Sequence, residues 1–383
     1  MITINIVHDE DTVSLQFFDY YYAYKQNQYP HSNYKPNIAI KFNQRIDPKY
    51  INIALVSFRH CGKFFHQSEF DLILIENSGE SLEVASVTVE MMLRTIPMVY
   101  FLCSTNLAKD HVLYDKIIEF NHCTQNFLDY IARPFYPQYW GIKDPLVKSK
   151  DICYIHGLNR TNREYFLRCL HQIVGTKLKI KNSIFTPGAV KKLIDCAFES
   201  QQDTEFRSWA NENIVNCDYE NQDNIEYYSS CPLVGIDKKF GQVAPGNFIL
   251  DEYFQHQCVV YPESSWINNQ MFLTEKTYKC LVTKTVPWPI SGANFHALMN
   301  TFGFQTAMNL LPKELQIFDT IMDHRERYKH TCNAILWAAE HPEIWNSSEA
   351  NAIKNNNFER MWNNKLSLVG IEKFDQLIKS RYS

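Results

Sequence analysis

Apolar and polar positions along the chain sort into two recurring kinds of run. Short apolar stretches at Ile2–Val7, Ile51–Ser57, Phe70–Ile75, Ile96–Leu102, Tyr114–Phe120, Asp151–His156 and Cys258–Tyr261 have the length and polar borders of strands buried on both faces. Between them, helical spacing appears over the aromatic-rich Phe17–Tyr24, more weakly over Leu82–Arg94, and again over Asn162–Leu170, Thr274–Val282 and Phe295–Phe304. Leu315–Glu340 and Asn351–Ser383 close the chain as helices. Strands interleaved with helices predict an α/β fold made of doubly wound sheets.

The pattern starts twice. Around Arg133–Gly141 clustered Pro, Gly and aromatic residues read as a linker, after which Asp151–His156 opens a second strand-turn-helix unit. A chain of 383 residues is comfortable for two domains of ordinary size. The expected division is 1–145, 146–345 and a helical tail 346–383 packing back on the domains. Residues 201–247 are polar and read as irregular connections.

Composition narrows the class. An apolar fraction of 45% with 21% charged residues is that of a soluble globular protein. No stretch approaches the roughly 18 apolar residues of a membrane span, and the N-terminus lacks a basic segment before its apolar run. The 11 cysteines are scattered without a Cys-x-x-Cys pair, as expected of reduced thiols in a cytoplasm, and no zinc or other metal site is expected. A net charge of −4 gives no global attraction to nucleic acid, so DNA binding would need a local basic face. Lys177, Lys179 and Lys181, Lys191 and Lys192, and Arg45, Lys49, Arg59 and Lys63 are the candidates, with solvated surface lysines as the plainer reading.

Candidate chemistry concentrates at Tyr261–Lys279. Thr274 has the character of an N-cap, which puts Glu275 and Lys276 in the first turn of a helix. Free backbone N–H groups and the positive end of the helix dipole favour an anion there, and Lys276 adds a full charge. Glu275 suits sugar hydroxyls better than phosphate, so the pair reads as a site for a ribose and a diphosphate. A solvated Glu–Lys pair at a helix start is the alternative. A second anion site is read at Gly157-Leu-Asn159-Arg160, a polar turn leading into a helix that carries Arg163.

The order Glu263-Ser264, then Phe272-Leu-Thr274-Glu275-Lys276, then Val286-Pro and Gly292 resembles the donor-binding signature of fucosyltransferase-type glycosyltransferases. The resemblance covers roughly residues 258–300. It implies a GT-B architecture of two Rossmann-like domains facing a cleft, with C-terminal helices. It further implies a UDP- or GDP-linked sugar held by the C-terminal domain and inverting transfer without a metal ion or other cofactor. Glu263, Ser264, Thr274, Glu275, Lys276, Gly157, Asn159, Arg160 and Arg163 are the donor residues on this reading.

The family's proton-accepting Glu follows a strand of the N-terminal domain, but the matching place here, Cys103–Asn106, holds no carboxylate. Attention passes to acids at other strand ends, Asp9, Glu10, Asp11 and Glu76, with Asp9 and Glu76 preferred. The absence of an anchor and the Asn-, Lys- and Tyr-rich composition resemble the bacteriophage members of the group, active in an infected host's cytoplasm. The favoured acceptor is then 5-hydroxymethylcytosine in double-stranded DNA, with Tyr20 and Tyr24 stacking on a displaced base and Arg45, Arg59 and Lys63 meeting phosphates. A surface or cell-wall glycan is the alternative acceptor, and a non-catalytic nucleotide-sugar-binding module the alternative of another class. No membrane partner is expected, and a monomer or weak dimer is.

Overall fold

The computed structural model describes residues 4–8, 15–27, 41–42, 46–58, 69–77, 87–107, 109–120, 148–156, 161–182, 204–216, 236–237, 242–243, 251–363 and 365–382. The expected linker at 133–141 lies outside them. By contacts the chain divides into unit 1 (Met1–Gln125, Met271–Leu273 and Asn363–Ser383) and unit 2 (Asn126–Gln270 and Thr274–Trp362).

Unit 1 is built on six strands: β1 (Ile4–His8), β2 (Lys41–Phe42), β3 (Ile51–Ser57), β4 (Leu72–Asn77), β5 (Val99–Cys103) and β7 (Ile117–Glu119). Their order is β2-β1-β3-β4-β5-β7, with every neighbouring pair parallel. A parallel sheet needs cover on both faces, and the residues of β3 show how it is supplied. Ile53 and Leu55 belong to a cluster with α1 (Leu15–Lys25) and the C-terminal helix Lys365–Tyr382. The alternate residues, Ala54 and Val56, belong to a second cluster with α2 (Val87–Thr95). β6 (Thr105–Leu107) stays out of this sheet and pairs with β14 (Gln270–Phe272).

The C-terminal helix is fixed into unit 1 by three different contacts. Phe374 meets Phe17, Phe18 and Tyr21 edge-on at centroid distances of 5.2, 6.0 and 4.8 Å, the geometry that ring quadrupoles favour. The buried Asp375 accepts from Tyr21 Oη at 3.0 Å, Lys25 Nζ at 2.9 Å and Lys379 Nζ at 2.6 Å. Gly370 lies so close to β7 that a Cβ would stand 1.9 Å from the carbonyl oxygen of Glu119, so only glycine lets the helix settle there.

Unit 2 is built on β8 (Lys150–His156), β9 (Lys179–Asn182), β10 (Ile214–Asn216), β13 (His256–Pro262) and β15 (Val286–Ile290). Their order is β10-β9-β8-β13-β15, again all parallel. One face packs Tyr154, Val260 and Trp288 against helices α3 (Thr161–Ile173), α4 (Thr204–Asn213) and α8 (His324–Glu340). Helices α6 (Glu275–Val282) and α9 (Ser348–Trp362) pack against β15. Two shorter helices, α5 (Asp251–Gln255) and α7 (Phe295–Thr301), precede β13 and follow β15, and β11 (Ile236–Asp237) forms an antiparallel ribbon with β12 (Gln242–Val243).

Two expected helices are each divided. Leu315–Glu340 comprises a 3-10 run, Lys313–Thr320, and then α8, because Asp323 starts a new helix by accepting from the backbone N–H groups of Arg325 and Glu326, both at 2.9 Å. The expected helical tail is α9 in unit 2 followed by the C-terminal helix in unit 1. Among the described residues no helix is long and apolar enough to cross a membrane.

The amino end of the unit 2 sheet buries two lysines. Lys148 Nζ donates to the carbonyl of Tyr253 and to Thr285 Oγ1, both at 2.7 Å, and Lys354 Nζ donates to Gln257 Oε1 at 2.5 Å and to the carbonyl of Trp345 at 2.9 Å. Burial pushes the Lys148 ammonium down to about 7; the nearby Cys280 and Cys153 thiols act upward and Lys354 downward. Burial likewise takes Lys354 to about 8. A folded-state value below the unfolded one means that protonated Lys148 opposes folding. That cost is full below about pH 7 and fades as pH rises toward the ordinary lysine range. Unfolding free energy from urea titrations is therefore expected to rise between pH 6 and 9, and Lys148→Met to flatten the rise. An equally steep rise in the variant would show that Lys148 is not its source.

Candidate functional site

In open parallel sheets, ligands bind outside the carboxyl ends of the strands at the point where the strand order reverses. In unit 2 that point lies between β8 and β13, since β9 and β10 extend from one side of β8 and β13 and β15 from the other. The elements that follow these two strands carry the expected donor residues. Arg163 is the third residue of α3, which follows β8, and it is buried at 4% exposure. Glu263 follows β13 directly, and Thr274 and Lys276 sit at the start of α6.

Glu263 is 1% exposed, and its carboxylate organises the helix start. Its Oε1 accepts from the backbone N–H of Thr274 at 3.2 Å and from Thr277 Oγ1 at 2.5 Å, while its Oε2 accepts from Thr274 Oγ1 at 2.5 Å. Thr277 Oγ1 lies 2.7 Å from the hydroxyl of Tyr261, so β13, the loop and α6 share one polar network. Thr274 occupies the N-cap position with extended backbone, as its residue type predicts, yet its hydroxyl serves Glu263 and not its own helix. Lys276 Nζ donates to Thr274 Oγ1 at 3.3 Å, and the side chain is only partly buried. Glu275 is the first residue of α6, and Ser264 is partly exposed beside Glu263.

The loop 264–269 is held from below by the end of β15. A Cβ on Gly292 would stand 2.0 Å from the carbonyl oxygen of Ile267 and 2.8 Å from that of Trp266, so glycine is required for this close approach. Ser291 Oγ donates to the carbonyl of Ser265 at 2.7 Å, and Asn268 Oδ1 accepts from the backbone N–H of Ala293 at 2.8 Å. The buried Arg327 adds bonds to the carbonyl of Ser291 at 3.1 Å and to Asn268 Oδ1 at 3.2 Å. Spacing alone does not pick out Arg327, because in the sequence it is one basic residue in a charged helix start.

His156 ends β8 and is fully buried, with its Nδ1 3.0 Å from Tyr154 Oη. Burial first, then the Arg163 guanidinium, lowers its pKa to about 3, so the imidazole is neutral at any physiological pH. Gly157, Asn159 and Arg160 lie outside the described residues.

In unit 1, Glu76 is the penultimate residue of β4, 3% exposed, between Ser57 of β3 and Leu102 of β5 in register. Asp9, Glu10 and Asp11 follow β1 and lie outside the described residues, as do Arg45, Arg59 and Lys63. A carboxylate not anticipated from the sequence stands nearby: Glu119 pairs in register with Cys103, the strand end where the resemblance places the family's base. It is 2% exposed, and the Lys373 ammonium is 4.0 Å away. Burial raises its pKa, with Lys373 acting in the opposite direction. In the sequence Glu119 is an acid inside the apolar run Tyr114–Phe120, and in the fold the C-terminal helix packs closely on the strand that carries it.

The stacking expected of Tyr20 gives way to packing. Its ring is 1% exposed, 6.2 Å from that of Phe120, inside the aromatic core beneath α1. Tyr24 is partly buried against the same cluster. Two of the three alternating lysines are also engaged: Lys181 is buried 3.5 Å from Glu252, and Lys177 is ion-paired with Glu340. Lys191 and Lys192 lie outside the described residues. Among the described residues no group of three or more His, Cys, Asp or Glu is placed to hold a metal ion.

No family model matches the chain, and no curated protein matches it. Among solved structures, the crystal structure of a glycosyltransferase from Rickettsia africae ESF-5 is similar over 99% of this chain and 98% of that one, at 8% sequence identity and a TM-score of 0.43.

Removing Glu263 is expected to loosen the site from within. Glu263→Ala leaves the Thr274 N–H and two threonine hydroxyls without their acceptor, at roughly 1–3 kcal/mol for each buried group left unsatisfied. Glu263→Gln keeps one acceptor oxygen and is expected to lose less. Equal urea midpoints for the wild type and Glu263→Ala would mean that the carboxylate does not hold the helix start.

Proposed function

We propose that this chain is a glycosyltransferase of GT-B type that moves a sugar from a nucleotide-diphosphate donor to an acceptor hydroxyl with inversion. The observation that carries the reading is the pair of cationic groups, Arg163 and Lys276, on the elements that follow β8 and precede β15, at the carboxyl edge where the unit 2 sheet reverses its order. Both are positioned early in a helix, where backbone N–H groups and the helix dipole add to their charge.

The acceptor oxygen attacks the anomeric carbon, the bond from that carbon to the diphosphate oxygen breaks, and the electron pair leaves with the nucleoside diphosphate. The hydroxyl proton passes to a carboxylate. Arg163 and Lys276 would stabilise the negative charge that grows on the diphosphate. Asp9 and Glu76 are the proton acceptors favoured by the sequence, and the buried Glu119, with its place beside Cys103, is a further candidate. 5-Hydroxymethylcytosine in DNA is the proposed acceptor, and a glycan hydroxyl is the outcome that would replace it.

Lys276→Ala is expected to weaken binding of the donor by roughly 1.5–3 kcal/mol, the range of a charge-assisted hydrogen bond. Titration of a panel of UDP- and GDP-linked sugars checks this, and unchanged affinity for all of them would remove Lys276 from the site. Transfer is expected to persist in chelator, since on this reading Arg163 and Lys276 would neutralise the leaving group. Loss of activity in chelator that manganese or magnesium restores would refute that. With hydroxymethylated DNA, salt-sensitive binding and sugar incorporation are expected. Incorporation into a soluble oligosaccharide alone, with no DNA binding at low salt, would assign the enzyme to glycans.

A further inference from the structure

Beside the proposed phosphate-facing residues, unit 2 carries a group of rings that packing does not fully cover. Trp266 and Tyr165 are both partly exposed, and each rests against the buried ring of Tyr328, at centroid distances of 5.9 and 6.1 Å. The exposed Arg325 guanidinium stands 5.8 Å from the Tyr165 ring centroid. Tyr165 is two residues beyond Arg163 on α3, and Trp266 is three residues beyond Glu263 on the loop after β13. The elements that supply the proposed diphosphate site therefore also supply the rings.

The shelf is rigid before any ligand arrives. Gly292 passes directly beneath the carbonyls of Trp266 and Ile267, and Ser291 Oγ and Asn268 tie the same loop to the end of β15. Tyr328, which supports both rings, is itself 1% exposed and packed edge-on against Phe166 at 5.3 Å. Aromatic faces held in this way bind a flat partner without further ordering cost, and a guanidinium at the margin adds a cation for a π-system to meet. A molecule whose diphosphate lies at the start of α3 has one flat part to offer, its base.

We propose that Trp266 and Tyr165 form the stacking subsite for the heteroaromatic base of the nucleoside diphosphate. This rests on the nucleotide-sugar reading of the same edge. Stacking contributes affinity for any base, because every base has a π-face, and it leaves the diphosphate contacts untouched.

Titration of GDP, UDP and inorganic pyrophosphate against the wild type, Trp266→Ala, Trp266→Phe and Tyr165→Ala tests the proposal. The wild type is expected to bind a nucleoside diphosphate more tightly than pyrophosphate. Trp266→Ala is expected to lose roughly ten-fold for the nucleotide and nothing for pyrophosphate, Trp266→Phe to recover most of that, and Tyr165→Ala to show a smaller loss of the same kind. Tryptophan fluorescence is expected to fall on nucleotide binding in the wild type, and less in Trp266→Phe. Full nucleotide affinity in Trp266→Ala, or an equal loss for nucleotide and pyrophosphate, would overturn the stacking role, the latter by showing a structural one. Pyrophosphate binding with no gain from the nucleoside would overturn it and leave the diphosphate site standing. Binding of neither would overturn the nucleotide-sugar reading and the subsite together.

Discussion

A carboxylate withdrawn from water must find donors, and Glu263 finds three within the next fourteen residues. Losing hydration costs an unpaired carboxylate several kcal/mol, so the chain after β13 has one favourable course. It must bring Thr274 and Thr277 back over the strand end. Doing so fixes where α6 begins, which way its first N–H groups point, and where Lys276 emerges. The place of the Lys276 charge is a consequence of the buried one. Gly292 supplies the complementary constraint from the other side, since its missing side chain admits the loop that Glu263 folds back.

Both sheets follow the logic of parallel strands, but they reverse at different places, between β8 and β13 in unit 2 and between β1 and β3 in unit 1. In unit 2 the reversal is flanked by cationic and hydrogen-bonding groups. Unit 1 gathers buried acids at its carboxyl edge instead, Glu76 on β4 and Glu119 on β7. Burial favours the neutral form of Glu119, which is the state opposite to the one a proton acceptor needs. The nearby Lys373 counters this for Glu119, and Lys373 is carried by the C-terminal helix that Gly370, Phe374 and Asp375 fasten down. The last helix thus bears on the chemistry of a strand more than two hundred residues earlier in the chain.

The strands were legible in the sequence because residues covered on both faces leave continuous apolar runs, and Ile51–Ser57 and Cys258–Tyr261 could hardly be anything else. The start of α6 was legible too, because Thr before Glu–Lys is a local signal. What stayed hidden depends on partners distant in sequence. Glu263 spells like a ligand residue, and nothing near it announces that its oxygens are taken by Thr274 and Thr277. Tyr20 spells like a surface aromatic until Phe120 and the C-terminal helix close over α1. Glu119 spells like a solvated acid, and Arg327 like one charge among several. In each case a helix or loop from elsewhere decides the burial, and burial decides the role.

His156 shows what this means for the charge of the proposed donor site. An imidazole at the end of β8, next to the proposed donor residues, invites the reading of a cation for phosphate. Its position says otherwise: with no exposed surface and the Arg163 guanidinium close by, protonation is opposed twice, and the ring stays neutral down to about pH 3. The positive charges at this edge are carried instead by the buried Arg163 guanidinium and the partly buried Lys276 side chain. The neutral ring holds Tyr154 Oη at 3.0 Å from its Nδ1 without adding a charge of its own.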